Sequence, residues 1–475
     1  MTKNSSPASI SVKVARTNEV SPLHTTRTVL ISAGTVFLVV TILILLTKPF
    51  YGNMDDSNFL NLAKSGGPWV FHSFYGDPAT GFLRNASWFV SYPAYWLANI
   101  YGSSALYLIN AFILIAISVI AGLVSFLPLQ VRQTHLLIGF VGAFFLWPYT
   151  AELLVFPSLQ EKTILLGAAC LLWWVTTAVH IRSGIASYSM LALISVVAFT
   201  SKVQITLFIP ALLLYLIILF TQREDRTTRL RILVAGILWT TLTVALIFLV
   251  LTGNYSSGTS GDEGLSLKIS PPMLLLFVIS LTYGIALLIR YLVQRTLSNQ
   301  PMKYVEILPL LWMVTIFLTG FVWEWRNYYL SIVAFPFALM VLVILSWLRI
   351  RSLSIIACSI LLLTSMAWLI FRLPMFFEAT SSVRAFLSSS IAIQLDVEKA
   401  VVYVGCAEAP THFNRYAIEQ NLTDIRFEFV ENINSQTGSS NYYFSDSKLC
   451  PIPSVDSQAT IWTSGSLNSY VLYKS

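Results

Sequence analysis

Long apolar runs separated by short polar segments make up most of the chain. A run of roughly 17–25 mainly apolar residues is long enough to cross the hydrocarbon core of a bilayer as an α-helix. The first run, residues 28–47, is longer than the hydrophobic part of a signal peptide and no small-residue cleavage pattern follows it, which predicts a retained anchor. The pattern predicts eleven transmembrane helices, at residues 28–47, 103–126, 135–150, 163–180, 188–201, 204–220, 232–252, 271–292, 305–322, 328–348 and 354–372.

The basic residues between these runs predict the orientation of the chain. Cytoplasmic loops of membrane proteins carry an excess of Lys and Arg. With a cytoplasmic N-terminus, the eleven spans place eleven basic residues in cytoplasmic loops and four in the short external loops, namely Lys162, Lys202, Lys268 and Arg326. The predicted fold class is therefore a polytopic α-helical membrane protein with its N-terminus inside and its C-terminus outside.

The composition excludes several other classes. Of the 475 residues, 56% are hydrophobic and 11% are charged, whereas soluble domains carry about 25% charged residues. A soluble enzyme, a disordered chain and a disulfide-dense secreted scaffold are excluded. The formal net charge of +7 comes from residues 1–374, which hold 23 Lys and Arg against 12 Asp and Glu. These charges set orientation and form no basic groove with aromatic residues, so no nucleic-acid partner is predicted.

The polar segments divide the chain into three parts. Residues 1–27 form a cytoplasmic tail, residues 28–372 a transmembrane domain with an external loop at 48–102, and residues 373–475 an external domain. The second half of that loop, 85–102, is rich in Trp and Tyr, which are stable at the membrane interface, and predicts an interfacial helix.

The external C-terminal segment predicts a small α/β domain. KAVVYVG and DIRFEFV have strand patterns, APTHFNRYAIEQ between them has a helix pattern, and shorter strands follow in NYYFSD, TIWTS and SYVLY. Cys406 and Cys450 both fall here. They can form a disulfide in an oxidising compartment or stay as two unpaired thiols.

Ionisable residues are nearly absent from the predicted spans and gather at the external ends of the helices. Transporters and pumps that couple to protons place such residues near the middle of the bilayer. Any chemistry is therefore expected at the external surface.

An adjacent pair of carboxylates gives the strongest chemical signal. Asp55 and Asp56 follow the first span within GNMDDSNFLNLAKSG. Such a pair can accept the proton of a hydroxyl nucleophile or hold a divalent cation, Mg²⁺ or Mn²⁺, against a phosphate. The alternative is an ordinary helix N-cap, a position that Asp favours.

Two basic residues at the external ends of spans are candidates for binding a phosphate. Lys202 lies between two short apolar stretches, and Arg326 opens a later span in FVWEWRNYYLSIVAFP. The planar guanidinium of Arg can bind two phosphate oxygens at once, whereas Lys can also simply reach the headgroups. Further candidates for acceptor or donor contacts are Glu152, Glu161, His72, Arg84 and Tyr328.

This arrangement resembles the GT-C superfamily of integral-membrane glycosyltransferases. The resemblance consists of Asp55 and Asp56 after the first span, the aromatic helix 85–102 in the same loop, Lys202 and the segment from Arg326 to Pro336 at later external ends, and the external C-terminal module. It implies a polyprenyl-phosphate-linked sugar as donor, an acidic residue of the first loop as catalytic base, and basic residues that hold the donor phosphate.

The resemblance also implies partners and a location. The acceptor would be a glycan or a lipid-linked glycan, and the protein is most similar to bacterial members that decorate O-antigen or related surface glycans. That places it in the bacterial inner membrane, among membrane lipids, with a periplasmic active site. A single acidic pair without an external His–Glu cluster leaves metal dependence open.

Three other functions fit parts of the sequence. A polymerase or ligase of lipid-linked polysaccharide shares the substrates but usually has its large external loop between late spans. A transporter is disfavoured because the predicted spans contain almost no ionisable residues and the sequence has no visible repeats. A scaffold presenting the C-terminal domain does not require eleven spans.

Overall fold

The computed structural model describes residues 22–51, 56–67, 84–129, 133–177, 184–223, 225–252, 270–297, 304–322, 327–348, 350–405, 416–417, 420–430, 442–446, 459–463 and 470–474. Most of them are helical. The α-helices are α1 Pro22–Thr47, α2 Asp56–Ser65, α3 Asn85–Tyr101, α4 Ser103–Leu129, α5 Leu136–Leu146, α6 Thr150–Val155, α7 Glu161–Thr177, α8 Gly184–Phe199, α9 Ile209–Gln222, α10 Arg226–Leu251, α11 Pro271–Leu297, α12 Tyr304–Val322, α13 Ala334–Ser346, α14 Arg351–Leu387 and α15 Ser390–Val397. Two 3-10 helices, Val203–Leu207 and Asn327–Val333, precede α9 and α13.

The described helices make the chain a polytopic integral membrane protein. A helix satisfies all its backbone hydrogen bonds internally, which a segment in lipid must do. Within the described ranges, six segments are long and apolar enough to cross a bilayer: Arg27–Thr47, Ser103–Leu129, Arg226–Leu251, Pro271–Val293, Tyr329–Ser346 and Arg351–Phe377. Shorter apolar helices are Leu136–Leu146, Gly184–Phe199, Ile209–Gln222 and Tyr304–Gly320. The number of eleven spans stays a prediction.

Several predicted spans are interrupted in the structure. The predicted helix 135–150 ends at Leu146, and α6 is a separate short helix, because Pro148 forces the preceding residue out of the helical region: Trp147 has φ −60° and ψ 124°. The predicted spans 204–220 and 328–348 each begin as a 3-10 helix before the α-helix starts. These irregular segments lie at the end of the bundle that also carries α2 and α3.

Helix α5 lies at the centre of the bundle. Its apolar residues are buried nearly all round against α4, α13 and α14. A glycine permits the close approach of α5 to α14, because a Cβ atom at Gly142 would lie 2.8 Å from the backbone N of Leu362 in α14. Small residues allow helix backbones to approach in membranes, where packing contacts drive association.

Replacing Gly142 with Ala is therefore expected to destabilise the bundle. The new methyl group meets backbone atoms that cannot rotate away, so α5 and α14 must separate, at a cost of about 1–3 kcal/mol. Thermal unfolding in detergent should show a lowered midpoint. Gly34→Ala is the matched control, because a Cβ there meets nothing within 4 Å. Equal midpoints for the two variants would contradict this packing.

The last long helix continues past the predicted end of its span. The sequence predicts a span at 354–372 and an external domain from residue 373, but α14 continues through Pro374 to Leu387. The reason is that buried apolar residues, among them Phe377, Val383 and Phe386, continue at helical spacing where the composition turns polar. The division into a transmembrane domain and an external domain at residue 373 stays a prediction.

Five strands form one sheet after α15. They are β1 Val401–Gly405, β2 Arg426–Val430, β3 Tyr442–Asp446, β4 Ala459–Thr463 and β5 Tyr470–Lys474, at the five segments predicted as strands. The order is β2-β1-β3-β5-β4, with β1 parallel to β2 and β3, and β5 antiparallel to β3 and β4. Most of the predicted helix between β1 and β2, and both Cys406 and Cys450, lie outside the described residues.

Buried apolar side chains form two clusters. The larger one fills the helix bundle. The other, called here the loop–tail cluster, joins the first loop to the C-terminal segment; it contains Phe50, Tyr51, Phe59, Leu60, Leu62, Ala63, Trp88, Ala94, Tyr95, Ala98, Leu106, Val383, Phe386, Leu387, Ala392, Leu395, Val402, Tyr416, Ala417, Leu422, Ile425, Phe427, Tyr442 and Leu472. Helix α14 belongs to both clusters, because Phe377 packs in the first and Val383 in the second.

Candidate active site

The segment that leaves α1 is fixed to α4. Ser103 donates a hydrogen bond to the carbonyl of Pro49 over 2.8 Å, and the hydroxyl of Tyr107 donates to the carbonyl of Phe50 over 2.6 Å. Phe50 and Tyr51 also pack on Tyr416 of the C-terminal segment, with ring centroids 4.9 and 5.4 Å apart. The chain just before the acidic pair is therefore held from both sides.

Helix α2 begins with Asp56 and packs on α3 through one apolar face. Phe59 lies 5.7 Å from Trp88 and 5.3 Å from Tyr95, measured between ring centroids. The same face carries the fully buried side chain of Asp56, which accepts a hydrogen bond from the Tyr95 hydroxyl over 2.5 Å. A carboxylate in the first helical turn is also stabilised by the helix dipole.

A buried lysine lies in the same layer as Asp56. The Nζ atom of Lys162, at the start of α7, donates to the Asn110 side chain and to the carbonyl of Pro157, both over 2.6 Å. The carboxylates of Asp56 and Glu161 are close enough to stabilise its positive charge. A buried charge needs such partners, because burial alone disfavours the ionised form.

Glu161 and Lys202 form a buried ion pair beside Lys162. The Lys202 Nζ lies 2.7 Å from Glu161 Oε1, and the two side chains are 7% and 0% exposed. The same ammonium lies 4.5 Å above the ring centroid of Tyr329, which contributes a cation–π interaction. The pair joins α7 to the turn before the first 3-10 helix.

The start of α3 is attached to that same turn. The backbone N–H of Ala86 donates to the carbonyl of Thr200 over 3.1 Å, and the Ser87 hydroxyl donates to the carbonyl of Ser201 over 2.5 Å. Arg84, directly before α3, is buried. Arg84 therefore lies two residues before a backbone position that is bonded to the turn carrying Lys202.

Several buried polar atoms around the ion pair lack a hydrogen-bond partner within the described part of the chain. They include Glu161 Oε2, Gln204 Oε1 and the Ser331 hydroxyl. Both 3-10 helices contact α7, so these atoms belong to neighbouring elements. Because buried polar groups in proteins are normally paired, this group indicates a place where a polar ligand or water completes the bonding.

The structure brings together three of the residues singled out in the sequence, Asp56, Glu161 and Lys202, which are all buried around Lys162. Arg84 is buried directly before α3. Asp55, His72 and Arg326 lie outside the described residues, as does the side chain of Tyr328, whose backbone is in the second 3-10 helix. The roles assigned to all of them stay predictions.

Sequence reasoning missed Tyr95, Asn110 and Lys162. Lys162 counted only as a loop charge, although its position next to Glu161 at the start of an apolar run was a usable signal. Tyr95 falls seven residues after Trp88, on one face of α3, and that spacing marks a common buried surface. Nothing in the sequence around Asn110 distinguishes it from other polar residues within a span.

Glu152 lies one short helix away, in α6. Burial raises the pKa of its carboxyl to about 7; the nearby Arg372 opposes that rise and Glu161 adds to it. The group is therefore largely protonated in the folded protein at pH 6, where an exposed Glu is ionised.

This shift predicts a pH dependence of stability. Between the ordinary Glu pKa near 4.5 and a pH of about 7, the folded state binds more protons than the unfolded state, so stability falls as the pH rises through this window. Glu152→Gln, which stays neutral, should lose that contribution and be more stable than the parent above pH 7. Unfolding midpoints in detergent from pH 5 to 8 test this, and parallel curves for the two proteins would contradict it.

The described residues contain no group of three or more His, Cys, Asp or Glu side chains arranged to hold a metal ion. Asp55, half of the predicted acidic pair, lies outside that set. The Mg²⁺ or Mn²⁺ ion considered from the sequence stays an untested prediction.

The chain has the fold of ArnT, a GT-C glycosyltransferase, so the resemblance seen in the sequence holds at the level of the fold. The structure is similar to that of ArnT from Cupriavidus metallidurans in the apo state, with a TM-score of 0.57 and 11% sequence identity, covering 95% of this chain and 98% of ArnT. A structure of the same ArnT bound to undecaprenyl phosphate gives a TM-score of 0.45 at 12% identity, covering 95% and 97%. No protein-family model and no curated protein matches the chain.

Proposed function

We propose that this protein is a membrane glycosyltransferase that moves a sugar from a polyprenyl-phosphate-linked donor to a glycan or lipid-linked acceptor on the external face. The observation that carries the proposal is the buried carboxylate of Asp56 in one layer with Lys162 and the Glu161–Lys202 pair. The ArnT-like fold supports the same class of reaction. In a bacterium, the membrane would be the inner membrane and the active site periplasmic.

In the proposed reaction, Asp56 or its neighbour Asp55 accepts the proton of the acceptor hydroxyl. The hydroxyl oxygen attacks the anomeric carbon of the sugar as the bond from that carbon to the phosphate oxygen breaks. The phosphate leaves with the bonding electron pair and needs no proton, provided that cationic groups stabilise its charge. The hydrogen bond from Tyr95 fixes the Asp56 carboxylate in the orientation it has before reaction.

Basic residues near Asp56 would hold the donor phosphate. Lys202 and Arg84 are the described candidates, and Arg326 is a further one from the sequence. The ammonium of a lysine has three N–H donors, and Glu161 accepts from one at Lys202. A phosphate oxygen would therefore bind alongside Glu161 or compete with it for the ammonium.

The apolar surface of the bundle gives the lipid part of the donor a place to lie. This explains why the enzyme is embedded in a membrane: the reacting phosphate stays at the membrane surface, next to the buried charged layer, and the tail stays among the helices. Glu152, His72 and Tyr328 are proposed only as contacts for the sugar or the acceptor.

The proposal is tested by comparing surface glycans by mass spectrometry. The strains would be a deletion, the deletion rescued with this chain, and the deletion rescued with Asp55→Asn plus Asp56→Asn at equal expression. One sugar residue should be lost on deletion, restored by the parent chain and not by the double variant. Asp424→Asn is the matched control, an exposed aspartate of the C-terminal segment.

Other outcomes would favour other functions. A change in polymer length, with every sugar retained, would favour a polymerase or ligase. Full rescue by the double variant would remove the main support for an enzyme and make the acidic pair a helix cap.

A further inference from the structure

An apolar groove runs between α9 and α10, on the part of the bundle that faces lipid. Its volume is about 470 Å³. Leu213, Ile217 and Phe220 of α9 line one wall, and Leu233 and Ile237 of α10 line the other.

Gly236 forms the floor of this groove. A Cβ atom at that position would meet no other atom within 4 Å. The missing side chain therefore leaves open space rather than permitting a close helix contact, in contrast to Gly142 in α5.

The mouth of the groove is basic. Arg229 lies four residues before Leu233 and seven before Gly236, so it occupies the same face of α10 as the groove residues. Its guanidinium lies 5.6 Å from the ring centroid of Phe220, and its Nε donates to the carbonyl of Arg223. Arg223 is exposed and directly follows α9.

The described acidic residue between α9 and α10 is Asp225, and its side chain bonds to the start of α10. Asp225 caps α10: its Oδ2 accepts from the Thr227 hydroxyl over 2.7 Å and from the Thr228 N–H over 2.8 Å. Arg226, exposed beside it, adds another positive charge. Glu224 is outside the described residues.

The groove and its basic mouth together are about as long as one leaflet of a bilayer is thick. Thr240, at its inner end, lies eleven residues after Arg229, which is roughly 16 Å along a helix. Half of a hydrocarbon core is about 15 Å. The groove mouth lies at the end of α9 opposite to Lys202, which precedes that helix, and the loop charges predict that this end is cytoplasmic.

We propose that this groove binds an anionic phospholipid of the cytoplasmic leaflet. The acyl chain lies over Gly236 between the two helices, and Arg223 and Arg229 bind the phosphate and the anionic headgroup. The argument is charge complementarity at the mouth of an apolar groove that, together with this mouth, spans about one leaflet. Basic sites between helices at the cytoplasmic side are suited to such headgroups. This site is separate from the proposed active site and does not depend on it.

The test is native mass spectrometry of the full chain, incubated with equal amounts of phosphatidylglycerol and phosphatidylcholine that carry the same acyl chains. The parent protein should retain phosphatidylglycerol preferentially. Arg223→Gln plus Arg229→Gln should lower its affinity roughly 10- to 30-fold, with phosphatidylcholine retention unchanged. Gly236→Leu, which fills the groove, should lower retention of both lipids.

Two matched controls separate the site from general effects. Arg351→Gln removes an exposed arginine at another helix end, and Gly34→Leu adds a side chain at another open glycine; both should behave as the parent. Equal retention of the two lipids by the parent, or unchanged phosphatidylglycerol retention by the double Arg variant, would overturn the proposal. An equal loss of phosphatidylglycerol retention in Arg351→Gln would also overturn it. The same holds if the two arginines retain undecaprenyl phosphate instead of phosphatidylglycerol.

Discussion

Replacing Asp56 with Asn is expected to lower the transfer rate by about 10²- to 10⁴-fold, the range that a general base contributes. Asparagine has nearly the same shape as aspartate, and its carbonyl oxygen can still accept the hydrogen bond from Tyr95. The packing of α2 on α3 is therefore retained while the proposed proton acceptor is lost. The measurement is turnover of a polyprenyl-phosphate sugar by purified protein, alongside the unfolding midpoint.

Two companion variants make this result specific. Tyr95→Phe keeps the ring that packs on Phe59 but removes the hydroxyl that orients Asp56, so it should cause a smaller loss of rate. Comparing the loss of turnover in Asp55→Asn with that in Asp56→Asn shows which of the two carboxylates contributes more to the rate. Normal turnover by Asp56→Asn with loss of turnover in Asp55→Asn would move the role of base to Asp55.

Breaking the Glu161–Lys202 pair should have the largest effect on stability. Removing one partner leaves the other as an unpaired buried charge, at a cost of about 3–5 kcal/mol. Lys202→Met and Glu161→Gln should each lower the free energy of unfolding by that amount. The double variant should recover part of the loss, because the two charges are removed together while Lys162 keeps Asp56 as a nearby carboxylate.

The double variant also separates stability from function. It should fold in normal yield yet bind a polyprenyl-phosphate donor poorly, since the proposed phosphate contact of Lys202 is gone. Denaturant unfolding in detergent and donor binding are measured on the same preparations. Single variants as stable as the parent would show that solvent or another group compensates the charge. A stable double variant with normal donor binding would remove Lys202 from the proposed phosphate site.

Composition and pattern were sufficient to predict a helical membrane protein, the aromatic helix α3 and the five strands. Each is a local property: apolar runs, clustered Trp and Tyr, and alternation along a strand. Helix breaks were harder. The interruption at Pro148 follows from local sterics. It was not predicted because the residues on both sides of Pro148 are apolar and were read as one continuous span.

The candidate site was only partly visible in the sequence. Asp56 and Lys202 stood out because charges are rare in this chain. Tyr95 did not stand out, and although Glu161 was a candidate its pairing with Lys202 was not predicted, since Tyr95 lies 39 residues from Asp56 and Glu161 lies 41 residues from Lys202. Such pairs depend on how α2, α3 and α7 meet, which pattern along the chain does not specify.

The loop–tail cluster has a consequence for the order of events during synthesis. Phe50 and Tyr51 emerge near the start of translation, yet their ring partner Tyr416 is made only after every helix up to α15. Contacts this distant in sequence form slowly and late in folding. The loop that carries Asp56 therefore completes its packing only after the final part of the chain has been synthesised. Defects in the C-terminal segment should then appear as a reduced amount of mature protein rather than as slower turnover.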